Sequence, residues 1–281
     1  MQFSRSGRTG VARVLAVAAV LLGGLSTQAV QAQTDDGFRT DFNFDECDFS
    51  SDGSNKYFIL EPGYQLVLSG RVDRERVELT ITVLDETRRI NVPGIGSVVT
   101  RVVEERETAD GELVEVSRNY FAICQQTNDV AYFGEQVDIY ENGKIVSHEG
   151  AWLAGRDGAR PGVIMPGTIV VGDKYYQEIA PGVALDRAEN ISVDEVVRTP
   201  AGRFTNVLKT RETTPLEPGD VAFKFYAPGV GLIQDGELKL VSSGQSGGDG
   251  SNNDGGKADD EDGDDDDDGD DDDEDDGHGD D

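Results

Sequence analysis

Asp264, Asp266 and Asp268, followed by Gly269, are spaced like the opening of a calcium loop, where alternate carboxylates surround a hard cation. The rest of such a loop is missing. Its twelfth position is Asp275 rather than a bidentate glutamate, and no helical pattern flanks the run. Any aspartate tract broken by glycines matches this register somewhere. From Ser242 to Asp281 the chain carries twenty acidic side chains and one lysine. So few apolar residues cannot offset the entropy of ordering the segment, which predicts a disordered polyanion. In it Asp264, Asp266, Asp268, Asp272 and Asp276 would share Ca²⁺ or other divalent cations diffusely, with dissociation constants of about 10⁻⁴–10⁻³ M. The competing reading is a solubilising brush with no specific ligand, and no other cofactor is expected.

Elsewhere the chemistry is sparse. His148, in Ser147-His148-Glu149, is the one histidine between the N-terminal apolar run and the tail, too few for a transition-metal site. It reads as a hydrogen-bonded histidine at a strand end. Gly94-Ile95-Gly96-Ser97 lacks the closing glycine of a nucleophile elbow, which leaves serine hydrolysis without a motif. Gly94-x-Gly96 and Gly229-x-Gly231 are incomplete as dinucleotide fingerprints and read as turns. Paired carboxylates such as Glu104-Glu105 could serve acid–base chemistry, but among so many acids they select nothing and read as solvated strand faces. Trp152, Tyr132, Phe133, Tyr175 and Tyr176 could line a groove, although large residues at strand spacing are more often core.

Compartment and charge narrow the classes further. Arg5, Arg8 and Arg13 precede a short apolar core, Val14–Leu22, and small residues end at Ala32. This is the pattern of a secretory signal peptide over residues 1–32, cleaved after Ala32, and it places the mature protein in the periplasm or outside the cell. The apolar core is too short for a bilayer span. Cys47 and Cys124 form an even pair, expected as a disulfide in an oxidising compartment, with two separate thiols as the alternative. A bridge would restrict the unfolded chain by about 4–5 kcal/mol on the entropic model. The net charge of −31 is shared by tail and body, so nucleic acid and anionic membranes are excluded as partners. Divalent cations or a basic protein surface fit better. A monomer is expected.

The elements that must position any site are strands. Val77, Leu79, Ile81 and Val83 alternate with Glu78, Thr80 and Thr82, and Val114, Val116, Tyr120 and Ala122 repeat the pattern around Arg118. Asp110-Gly111, Asn142-Gly143 and Asp235-Gly236 are hairpin signals, and the Pro-Gly pairs that begin at Pro62, Pro93, Pro181, Pro218 and Pro228 add turns. Apolar residues nowhere recur at helical spacing for three turns. The fold class is therefore all-β: an antiparallel meander of about eight to twelve strands, forming a strongly curved sheet, a half-barrel or a sandwich. Its parts are an acidic lead-in (33–54) ordered only near Cys47, the β domain (55–241) and the disordered tail (242–281). Gly150–Gly172, rich in glycine, reads as a long connection.

Asn55–Gly70, Tyr132–Gly155, Pro161–Pro166, Pro200–Lys209 and Tyr226–Ile233 together resemble a group of exported bacterial β-sheet proteins of unknown function. The resemblance implies a shared scaffold but brings no substrate or catalytic residue. Members of that group carry a cysteine where this chain has Val207. More briefly, Phe58-x-Leu60-x-Pro62-Gly63 is similar to the opening of periplasmic lipoprotein-carrier-like half-barrels. The functional expectation is a non-enzymatic binding or scaffold protein whose tail attracts cations or a basic partner. The alternative is a carrier holding a small apolar ligand or lipid in the concave face. An enzyme working through carboxylates ranks below both.

Overall fold

The structure, a computed structural model, describes residues 37–246. The signal-peptide segment and the aspartates at 264, 266, 268, 272 and 276 lie outside the described residues. A turn of 3-10 helix (Phe44–Glu46) leads to β1 (Phe49–Ser50) and to a small hairpin of β2 (Gly53–Asn55) and β3 (Phe58–Leu60). Five longer strands follow: β4 (Tyr64–Val72), β5 (Glu75–Val92), β6 (Gly96–Ala109), β7 (Glu112–Cys124) and β8 (Val130–Glu141). Short pieces then turn the corner: β9 (Lys144–Ser147), β10 (Trp152–Leu153), β11 (Arg160–Met165), β12 (Lys174–Tyr176) and β13 (Glu178–Ile179). The remaining strands are β14 (Arg187–Thr199), β15 (Gly202–Thr213), β16 (Ala222–Ala227), β17 (Gly231–Asp235) and β18 (Leu238–Gln245).

β18 returns to pair antiparallel with β4, which joins the two runs of strands into one 16-stranded sheet. The ends of that sheet, β12 and β13, are separated in the chain by Gln177 alone. Residues 174–176 bond to the start of β14, and residues 178–179 bond to Arg160 and Pro161 of β11. The all-β expectation thus takes the form of a strongly curved antiparallel sheet, nearly closed as a barrel. Gly162 permits the seam. A Cβ there would stand 2.5 Å from the carbonyl oxygens of both Tyr176 and Gln177, closer than real Cβ atoms come.

Hairpin chemistry matches the sequence at two turns. Asp110-Gly111 and Asn142-Gly143 both adopt the paired positive φ angles of tight turns. Asp73 and Arg74 make the same turn between β4 and β5, at φ 50° and 80°, without any glycine to announce it.

Three boundaries differ from expectation. The lead-in is ordered well beyond Cys47. Phe42 and Phe44 are buried, Phe44 and Phe49 pack on Phe133, and Arg39 bonds the backbone of β12. Aromatic burial of this kind outweighs the segment's acidic composition. Gly150–Gly172 is more than a connection, since β11 within it forms part of the barrel wall. Ser242–Gln245, assigned to the tail, pair with Tyr64–Val67. The disulfide Cys47–Cys124 is formed, with its Cα atoms 5.3 Å apart, and it ties the lead-in to the end of β7.

Candidate functional site

Strand register decides which side chains face the barrel interior. Val83, Ile81 and Leu79 of β5 stand opposite Val103, Glu105 and Glu107 of β6. Those in turn stand opposite Asn119, Ser117 and Glu115 of β7, and Glu135 of β8 lies across from Asn119. Cross-strand partners share a face, so these glutamates point inward with the aliphatic residues of β5. On the far wall Lys224 of β16 lies opposite Asp235 of β17 and Thr210 of β15, with Glu212 two residues along.

The β2–β3 hairpin sits over one part of this interior. Asn55 Nδ2 donates to the carbonyls of Met165 and Asn128, both at 3.2 Å, and the Tyr57 hydroxyl donates to the Asn206 carbonyl at 3.2 Å. Phe58 meets Phe121 edge to face, with ring centroids 5.2 Å apart. Beside the hairpin, the buried Arg101 pairs with Asp52 and donates to the Ser51 carbonyl.

Between hairpin and walls lies a cavity. Its sides are Phe58, Leu66, Ile81, Val103, Phe121 and Leu232, among others, and its polar end is Glu105, Lys224 and Asp235. The cavity measures about 70 Å³ and opens to solvent through a mouth. That is room for several waters or for one end of an apolar chain whose remainder lies in the mouth.

The polar end is unbalanced. Lys224 Nζ lies 3.0 Å from Glu212 Oε2 and 3.7 Å from Asp235 Oδ2. Burial pulls the lysine pKa down, but Glu212, Asp235 and their neighbours outweigh it and hold the group well above its ordinary range. Burial raises Glu105 to about 7 against the opposing pull of Lys224. Burial, reinforced by Glu115, raises Glu107 to about 8, and burial with Glu105 raises Glu115 to about 7. Glu135 and Glu178 are pushed well above the carboxylate range, chiefly by burial, and Asp186 rises to about 6. Several interior carboxyls therefore hold protons near neutrality, where they can donate as well as accept hydrogen bonds.

The other candidates fall into place around this interior. His148 Nδ1 contacts the Val137 carbonyl at 2.9 Å and Asp138 Oδ1 at 2.8 Å, a local arrangement at the end of a strand. Tyr132, Phe133, Trp152 and Tyr175 are buried in the core, and Tyr132 also reaches the cavity wall. Among the described residues no group of three or more His, Cys, Asp or Glu is placed to hold a metal ion, and no helix is long and apolar enough to cross a membrane. Comparison with protein-family models, with curated proteins and with solved structures finds no match.

The reading of paired carboxylates as solvated strand faces is half wrong. Glu104 does face outward, bonded to Arg118 at 2.8 Å, whereas Glu105 lines the cavity. The face of β7 bearing Glu115, Ser117 and Asn119 looks like the wet one, yet it is the interior. The apolar residues Val116, Tyr120 and Ala122 are buried on the opposite face. One signal for Glu105 was available. It aligns across the Asp110-Gly111 turn with polar residues of β7 and across β5 with Ile81, and a register drawn from the turns places it with the aliphatic set.

Proposed function

We propose that this chain is an exported, non-enzymatic binding protein that carries a small ligand with an apolar body inside its barrel. The cavity supports this reading: apolar side chains from both walls and from the β2–β3 hairpin surround it, and its few polar groups gather at one end. Small-molecule sites have that composition, with apolar walls for affinity and a few polar groups for orientation. The brief similarity to lipoprotein-carrier-like half-barrels points the same way. The signal-peptide pattern and the disulfide agree with an oxidising compartment.

The experiment is displacement of a neutral apolar fluorophore, N-phenyl-1-naphthylamine, by decanol. Binding should be saturable in the parent protein and lost in Val103→Phe, which fills the cavity, while the variant keeps its far-UV spectrum. Equal fluorophore binding by the filled variant would reject the cavity as the site.

The tail supports a second, additional role as a diffuse collector of divalent cations. Calorimetric titration with Ca²⁺ should compare the full chain with one ending at Ser246, which keeps β18 whole. Equal heats would remove the tail from cation binding.

A further inference from the structure

The polar end of the cavity also bears on the ligand's chemistry. Glu105, Glu212 and Asp235 surround the single ammonium of Lys224, whose charge is already engaged by Glu212 at 3.0 Å and Asp235 at 3.7 Å. The Asp235 side chain is 10% exposed, and its Oδ2, 3.7 Å from Lys224 Nζ, is buried without a hydrogen bond. Glu105 lines the cavity and, beyond the attraction of Lys224, has no side-chain hydrogen bond or ion pair among the described residues. Glu105 thus faces the cavity without a donor, and Asp235 has only a share of Lys224.

Resting on the carrier reading, we infer that the cavity takes an amphiphile whose head is a protonated primary amine. Such a head brings three N–H donors and one positive charge, which Glu105 lacks and Asp235 shares with Glu212 through Lys224. A hydroxyl head could satisfy one of them and would leave the charge imbalance untouched. A carboxylate head would add a further negative group beside three acids, with the only lysine already engaged. The aromatic rings of Phe121, Tyr132 and Tyr226 line the same space and add a surface that favours cations. The alkyl chain would lie along Leu66, Ile81 and Val103.

The probes are decylamine, decanol and decanoate, each displacing the neutral fluorophore from the full chain at pH 8. Decylamine should bind about tenfold or more tighter than decanol, because a charge-assisted contact separates them, and decanoate should be weakest. Glu105→Gln removes the charge while keeping the shape. It should bring decylamine to within about threefold of decanol, the ratio of the two being the readout. Decanol binding as tightly as decylamine, or decanoate binding tightest, would overturn the amine assignment and leave the carrier reading standing. Displacement by none of the three would reject both.

Discussion

Glu104 and Glu105 are neighbours in the chain and live in opposite surroundings. Glu104 lies on the outer face, 2.8 Å from Arg118 and 3.9 Å from Arg106, both at least one-third exposed. Glu105 is turned inward, against Lys224, Asp235 and Glu212, and burial raises it to about 7. On the outside Glu104, itself only 15% exposed, is matched by two arginines that reach water. On the inside, a surplus of acids must be neutralised by protons or by a ligand. One strand thus carries a charge pattern for solubility on one side and a charge pattern for recognition on the other.

The most disruptive test of this contrast is Lys224→Met. It leaves Glu212, Asp235 and Glu105 without their buried cation, and at pH 8 it should cost about 3–5 kcal/mol in urea unfolding. At pH 5 the loss should shrink, because Glu105, raised to about 7, can then take up a proton.

A smaller effect of opposite sign is expected from Glu107→Gln. An interior acid with a raised pKa keeps its proton in the folded state over a range where the unfolded chain has lost it. The contribution of Glu107 to stability is therefore fully present below about pH 4.5 and is lost as pH rises through about 8. Removing the ionisable group should stabilise the protein at pH 8.5 by about 1–3 kcal/mol and change little at pH 5. A parent protein whose melting temperature is higher at pH 8.5 than at pH 5 would contradict the protonated interior.

On the outer face, Glu104→Gln should cost less than about 1 kcal/mol, and added salt should erase most of the loss. A loss as large as that of Lys224→Met would abolish the distinction between the two faces.

How much of this was legible in the sequence follows from burial on each face. β5 announced itself, because Val77, Leu79 and Val83 are buried while Glu78 and Thr80 reach water. The turns at Asp110-Gly111 and Asn142-Gly143 did so too. β7 misled, since both of its faces are covered and the polar one turns toward the cavity. Apolar alternation marks the more hydrophobic face, which coincides with the inside only where the inside is greasy. The seam at Gln177 left no local signal. Two- and three-residue strands are too short for periodicity, and their pairing with β14 and β11 is set by the barrel as a whole. The disulfide partners could be named in advance, but the aromatic docking that brings them together could not.

That seam also bears on how the molecule behaves in a crowd. An open sheet offers rows of unpaired N–H and C=O groups on which a neighbouring chain can add a strand. Here residues 174–179 pair with the start of β14 and with the start of β11, so part of each edge is covered. What stays open is unattractive as a template. β9 is four residues long, and the rest of β14 is broken by three register shifts and carries Asp194 and Glu195. Aggregation should therefore begin where the seam is lost, and weakening the Gly162 crossing would create sticky edges before it unfolded the barrel.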